Sequence, residues 1–416
     1  MWAWKDKLQL KGDKTLWYVI IGLASASLLV VYSSTGSLAY RVNDGDTSAY
    51  LIKQVFLLFL CFIVLLWLQS VHYKYFLGFA FVLLFLSFVC LLWAKLSGTT
   101  LNDAGRWVKI PLIGFTFQPS ELAKLGVIMY TARSIAFEQT DAGCNNRVLV
   151  RMLFVLPVLF MIFMENFSTS ALLGGVCLVM LFVGRLPWMT FGKLIGGVVV
   201  AVGLLLTIVF VVPEQHLKSV GRLLTIKHRV EHFVNPDVAD NDDSYQSDQA
   251  KIAVAKGGLI GVGPGNSVQR NFLPHPYSDF IFAIIIEEYG LGGAGIVMLL
   301  YLIILYRVGA IVRRCTRTFP AILVTGLGLC IVFQGLINMG VCVGLFPVTG
   351  QPLPLVSMGG TSLVFTSAMF GMILSVSHTF SEEGEGEEKA RVKQEQMEEN
   401  QENPSENMEN VDDENM

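Results

Sequence analysis

Long apolar stretches separated by short polar ones run along most of the 416-residue chain. A helix needs about 20 largely apolar residues to cross the hydrocarbon core of a bilayer. Scanning with that length predicts about ten spans, at residues 16–35, 50–69, 75–95, 119–137, 149–165, 167–184, 190–212, 280–306, 319–340 and 357–379. The fourth is the most polar, because Glu121, Lys124 and Arg133 interrupt it. One long connection, 213–278, separates the seventh span from the eighth, and after the tenth the apolar pattern stops. The pattern predicts an all-α integral membrane protein with a short N-terminal segment (1–15), a membrane domain (16–379) that includes one large loop, and a C-terminal tail (380–416).

Composition and charge sharpen this picture. Hydrophobic residues make up 53% of the chain and charged ones 15%, against roughly 25% charged in soluble domains. From Glu382 to Met416 there are 14 Asp/Glu and three Lys/Arg, a net of −11, which leaves +8 on the rest of a chain whose total is −3. A tail so charged and so poor in apolar residues cannot offset chain entropy by burial, so it is expected to be disordered. Lys and Arg collect in alternate short connections: fourteen lie on the side of the N-terminus and four (Arg41, Lys95, Arg106, Lys109) on the other. By the positive-inside rule both termini are cytoplasmic and the 213–278 loop is extracytoplasmic. The first apolar run follows four lysines but no cleavage site for a soluble mature domain, so it is expected to stay as an anchor. Seven cysteines show neither paired nor metal-type spacing. No internal repeat of fixed period appears, which weighs against repeat-built transporters.

Charges inside spans are expensive and therefore candidates for function. Glu121 and Lys124 are three apart on one helix face and can pair, either as part of a site or simply to let a polar helix insert. Lys53 is a second possible partner of Glu121, or it snorkels to the interface. The long loop carries Arg229, Gln249, Lys251 and Lys256, then Gly257, Gly258, Gly261, Gly263 and Gly265. These glycines permit tight turns but match neither a P-loop nor a dinucleotide fingerprint. Asp240-Asn-Asp242 has a metal-chelating spacing but sits in a polar, solvated stretch, and His216, His228, His232 and His275 are too scattered to be ligands. Asp279 heads the apolar run Phe280 to Ile286. A carboxylate at such a boundary is suited to base catalysis near neutral pH, and equally to capping the following helix.

Several blocks together resemble the FtsW/RodA (SEDS) family, over about Trp17 to Ser377: Gly105-Arg-Trp107, Gln118-Pro-Ser-Glu-Leu-Ala-Lys124, Gly261-Val-Gly263 through Gln269, Leu273-Pro274, Asp279-Phe-Ile-Phe-Ala283, Glu287-Glu288, and a final block with Asn338, Leu345-Phe-Pro347, Thr349-Gly350, Pro352 to Ser357 and Gly359-Gly360. Lys11-Gly-Asp-Lys14, Glu165 to Thr169 and Ser357-Met-Gly-Gly-Thr361 look like the division-type FtsW branch of Bacteroidota. Two departures stand out: Pro274-His-Pro-Tyr-Ser-Asp279 lacks the family's acid and displaces its histidine, and Ile286 replaces the usual glycine.

The resemblance implies a ten-helix enzyme of the bacterial inner membrane that polymerises lipid II into glycan strands during septal wall synthesis. A lipid II flippase, a RodA-type elongation polymerase and a non-catalytic scaffold are the alternatives. It implies Asp279 as the catalytic base, with Arg106, Glu121, Lys124, Arg229, Gln249 and Lys256 around the substrate, and glycine-loop N–H groups approaching the pyrophosphate. It admits a loosely held Mg²⁺ or Mn²⁺ and no organic cofactor. Its implied partners are a class B penicillin-binding protein and other divisome membrane proteins, and no nucleic acid.

Overall fold

The first helix, α1 (Lys14–Ser34), begins at Asp13, whose carboxylate accepts from the Leu16 N–H at 3.0 Å and so satisfies an orphan donor of the first turn. The same carboxylate pairs with Arg307, far along the chain. In this computed structural model, residues 10–35, 48–97, 108–109, 116–213, 221–234, 242–273 and 276–402 are described. After α1 come α2 (Ser48–Gln69), α3 (Tyr73–Ser97), a short β1–β2 ladder (Val108–Lys109 with Thr116–Phe117) and α4 (Pro119–Phe137). A second two-residue ladder, β3–β4 (Gln139–Thr140 with Gly143–Cys144), leads to α5 (Val148–Met152) and α6 (Leu156–Glu165). The expected span 149–165 is thus two pieces, because Pro157 has no N–H to continue the ladder. Asn166 then starts α7 (Phe167–Val183), its side chain accepting from the Ser168 and Thr169 N–H groups. Next is α8 (Trp188–Val211).

The long loop contains α9 (Gly221–Val234), α10 (Asp242–Gly257) and a 3₁₀ turn at Gln269–Asn271. The chain closes with α11 (Ile281–Arg314), α12 (Thr318–Cys342) and α13 (Thr361–Glu402). Among the described residues eight helices are long and apolar enough to span a membrane. The other two segments expected to do so are the 17-residue α7 and the polar α4, and both are helices at the expected positions.

Helix α12 is the hub, packed against α4, α7, α10, α11 and α13. Small residues allow that approach: a Cβ on Gly335 would meet the Tyr301 ring at 2.7 Å, and one on Gly328 would meet Val308 at 2.4 Å. At the other extreme, α8 buries 6% of its most apolar window, so the rest of the chain leaves almost all of that window uncovered.

Two expectations are corrected. The acidic tail is helical as far as Glu402. Glu, Lys, Gln, Met and Arg are strong helix formers, and a helix already nucleated in the membrane domain extends without a new nucleation cost. Residues 403–416 lie outside the described ones. The span expected at 280–306 is instead a 34-residue helix interrupted at Gly290 (φ 67°, ψ −169°), a conformation open only to glycine. Phe280 to Glu288 are all buried, while beyond the break Leu291, Ile296, Leu299, Leu302 and Tyr306 are exposed.

Candidate functional site

Asp279 lies in the turn that enters α11. The helix begins at Ile281 with Phe280 as its N-cap, a residue whose side chain makes no capping hydrogen bond. Asp279 Oδ1 accepts from the Ser278 hydroxyl at 2.9 Å. The backbone beneath is pinned. Asn338 of α12 donates from Nδ2 to the Asp279 carbonyl (2.7 Å) and to the Gln351 carbonyl (2.8 Å). Ser357 donates to the Ser278 carbonyl at 2.6 Å and accepts from the Leu353 N–H at 2.8 Å, and the Met358 N–H donates to the Tyr277 carbonyl. Gly350, at φ 63°, brings bare backbone beside the acid: a Cβ there would stand 3.7 Å from Asp279 Oδ2. One face of the carboxylate is therefore bounded by the 349–358 segment, whose Pro352-Leu-Pro354 run resists rearrangement.

That segment is tied in turn to the buried charges of α4. Lys124 Nζ lies 2.8 Å from Glu121 Oε2, a contact close enough for an ion pair but not aligned as a hydrogen bond, and both side chains are at most 5% exposed. The ammonium donates to Gln334 Oε1 at 2.9 Å, and Gln334 Nε2 donates to the Pro352 carbonyl at 2.9 Å. Glu121 takes Lys124 as its partner, not Lys53. Lys53 opens instead, with Tyr50, Leu57, Met358 and Gly360, onto a cavity shared with Tyr277. Burial, and then the nearby Tyr50 and Asp279, push the Tyr277 phenol above its ordinary range.

On the other side of the same segment, Arg229 of α9 lines a cavity with Glu165, Asn166, Thr225, Pro347 and Val348. Gln351 reaches toward Thr169 of α7 at 3.4 Å, so the floor of this region is shared between α7 and the 347–351 chain. Arg106 lies outside the described residues.

The glycine series does a different task from the expected one. The Gly261, Val262 and Gly263 N–H groups donate to the carbonyls of Gly257, Glu287 and Glu288, and the Leu291 and Gly292 N–H groups donate back to Gly258 and Leu259. The broken helix at Gly290 frees exactly those backbone groups that the loop then satisfies, so these N–H groups are not available to a phosphate. A Cβ on Gly257 would meet the Ile286 carbonyl oxygen at 2.0 Å. Glu287 and Glu288, buried in α11, hold the next stretch: Glu287 accepts from the Ser267 hydroxyl and the Val268 N–H, and Glu288 from the Ser33 hydroxyl, while Arg270 donates to the Ser33 carbonyl at 2.8 Å. Lys256 is exposed in the last turn of α10, next to Gly257, which packs against the Ile286 carbonyl of α11. Gln249 is half-buried two turns earlier on α10. The fold thus links the backbone of Asp279 and the Glu121–Lys124 pair to the same 351–352 stretch through Asn338 and Gln334, and places Arg229 in a cavity with Pro347 and Val348 just before it.

Among the described residues no three acidic, His or Cys side chains come together, so the donor set does not build a divalent-metal cage. Asn338 and Ser357 were visible in the sequence only as motif letters, and Gln334 and Gln351 fell outside the motif blocks. Their amide and hydroxyl contacts to backbone carry no periodic signal.

Residues 13–382 match the FtsW/RodA/SpoVE family, described as cell cycle proteins. The chain is 30% identical over 376 residues to the peptidoglycan glycosyltransferase MrdB of Escherichia coli K12, covering 90% of this chain and 95% of that one. It is 27% identical over 384 residues to the probable peptidoglycan glycosyltransferase FtsW of Aliivibrio salmonicida, covering 91% and 92%. Its fold matches a chain of a peptidoglycan synthase complex that coordinates polymerization and crosslinking, with a TM-score of 0.71 at 24% identity over 89% of this chain and 99% of that one. It also matches the rod shape determining protein RodA of Thermus thermophilus, with a TM-score of 0.60 at 23% identity over 88% and 97%. The chain belongs to the FtsW/RodA/SpoVE family of multi-pass helical membrane proteins, whose curated members it matches along nearly their whole length are peptidoglycan glycosyltransferases.

Proposed function

We propose that this chain, as a peptidoglycan glycosyltransferase, polymerises lipid II at the outer face of the inner membrane, with Asp279 as the general base. The observation that carries the reading is the setting of the carboxylate: it heads α11 beside the bare backbone of Gly350, and its own backbone is fixed by Asn338 and by the 349–358 segment. In the reaction the 4-hydroxyl of an acceptor N-acetylglucosamine attacks C1 of the donor N-acetylmuramic acid. The new C1–O bond forms as the bond to undecaprenyl pyrophosphate breaks, and Asp279 takes the hydroxyl proton. Negative charge developing on the leaving pyrophosphate needs fixed cations. Arg229, which lines a cavity with Pro347 and Val348, and Lys256 are the cations proposed for that role.

The division-type assignment rests on the Lys11-Gly-Asp-Lys14 opening, the Glu165 to Thr169 stretch and the Ser357-Met-Gly-Gly-Thr361 variant. A class B penicillin-binding protein is the proposed partner, supported by the likeness to a polymerizing and crosslinking complex. The decisive experiment compares wild type and Asp279→Asn, purified with the co-purifying partner, on lipid II. Asn keeps the shape and removes the proton acceptor, so polymer formation should fall by about 10²–10⁴-fold with folding and lipid binding retained. An Asn variant that elongates near the wild-type rate refutes the assignment, and a wild type that moves lipid II across vesicles without making polymer points to a flippase.

A further inference from the structure

At the opposite end of α12 from Asn338, about 30 Å away along the helix, a cavity of about 210 Å³ opens where α4, α7 and α12 converge. The lysine and arginine bias places this end at the cytoplasmic surface. Its lining includes Gln139, Val183, Arg185, Thr316, Arg317 and Ile322. Three features of this lining concern the same spot.

First, Gln139 Oε1 is buried and without a hydrogen-bond partner, which folded proteins rarely leave uncompensated. Second, Arg185 and Arg317 come from two different interhelical turns, and neither forms an ion pair among the described residues. The nearby acid Glu138 is taken by Arg151 at 2.8 Å. Third, Arg185 holds φ 59°, the left-handed region in which glycine or asparagine is the usual choice. It is kept there by the Cys144 N–H donating to its carbonyl and by its own N–H donating to Phe182. An arginine retained at a backbone position that penalises it indicates that its side chain is used.

We propose that this cavity binds the headgroup of an anionic glycerophospholipid of the phosphatidylglycerol type. Arg185 and Arg317 hold the phosphate, and a headgroup hydroxyl donates to Gln139 Oε1. The surroundings favour a lipid over a soluble anion: the rim passes into the exposed Phe182 and Val183, along which an acyl chain can lie, and Trp188 packs against Phe182 and Phe191 as an interfacial aromatic cluster. The α12 N-terminus lies at the same cavity, which Thr318 lines, and its N-cap Arg317 makes no side-chain capping bond, so a helix end that favours anions adds to the site.

The test is native mass spectrometry of the full chain equilibrated in mixed micelles with equal amounts of phosphatidylglycerol and phosphatidylcholine. Wild type should retain phosphatidylglycerol selectively. Arg317→Gln, and Arg185→Asn, which tolerates the left-handed backbone, should each weaken retention about 5-fold, and the double variant about 25-fold. Gln139→Leu should erase any preference for phosphatidylglycerol over phosphatidylmethanol, which has the phosphate and no free hydroxyl. Lipid II polymerisation should be unchanged in all of them, which shows that they fold; if Arg185→Asn does not fold, Arg317→Gln alone carries the test. Equal retention of the two lipids by wild type, or retention of phosphatidylglycerol by the folded double variant within twofold of wild type, overturns the proposal. Displacement of the lipid by millimolar inorganic phosphate overturns it in favour of a soluble anion.

Discussion

Replacing Lys124 by Met tests how the buried charges of α4 support the site. At 2.8 Å the pair attracts by about 6 kcal/mol at an effective dielectric of 20, before the desolvation of either ion is subtracted. Removing one partner leaves Glu121, 4% exposed, as an uncompensated buried charge, at a cost of about 3–5 kcal/mol. Glu121→Leu leaves Lys124 with Gln334 alone and should cost a similar amount. The double variant carries no buried charge and loses mainly the donor to Gln334 Oε1, a penalty of about 1–3 kcal/mol. The double variant should therefore be more stable than either single one, with a coupling of several kcal/mol. Unfolding of the purified variants by increasing SDS, followed by tryptophan fluorescence, measures this directly. A double variant as damaged as the sum of the singles would show that the two side chains act independently and that the ion pair is not a unit. Because Gln334 also holds the Pro352 carbonyl, even a folded Lys124→Met variant should lose about 10²-fold in polymerisation, the scale of a small misplacement of reacting groups.

Gly257→Ala would force a methyl to within 2.0 Å of the Ile286 carbonyl oxygen, where only backbone could yield, so it should destabilise by about 3 kcal/mol or fail to fold; normal expression and thermal stability would contradict the packing described. Cys144 is 3% exposed, and burial, with Glu138 nearby, lifts its thiol to about 11. The folded state therefore keeps the proton while an unfolded chain loses it above about pH 8.5, so any stability from this group is present below that pH and lost as pH climbs toward 11. Mass mapping should accordingly find Cys144 unmodified by maleimide at pH 7–8 until the protein is unfolded. Deleting residues 382–416 should leave polymerisation by the purified enzyme unchanged, since α13 packs through its membrane part; a folded but inactive truncation would assign the tail a role in the active unit.

Hydropathy made the helices legible because lipid imposes a single coarse rule, enough apolar length, and even the polar α4 sits where that rule put it. The rule fails where backbone satisfaction decides the structure instead. Nothing in the apolar run Phe280 to Ile286 announces that α11 breaks at Gly290, because the break is stabilised by N–H groups nearly thirty residues upstream. The glycine series, legible as a set of tight turns, gave no sign that its backbone groups bond to α11. Asp279 could be singled out by its place at a polar-to-apolar boundary, whereas the close docking of Gly257 on Ile286 depends on how α10 packs, which no spacing encodes. The helical tail was missed because low hydrophobicity excludes a packed core but not a helix propagating from one.

The exchange of backbone hydrogen bonds between residues 257–263 and 287–292 has a mechanical consequence. The 257–263 stretch does not rest on α11 as a separable lid; it is spliced into the broken helix that carries Asp279 at its head. A load placed on α10 would therefore pass through these bonds into the buried Phe280 to Glu288 segment that adjoins Asp279, while the break at Gly290 separates that segment from the rest of α11.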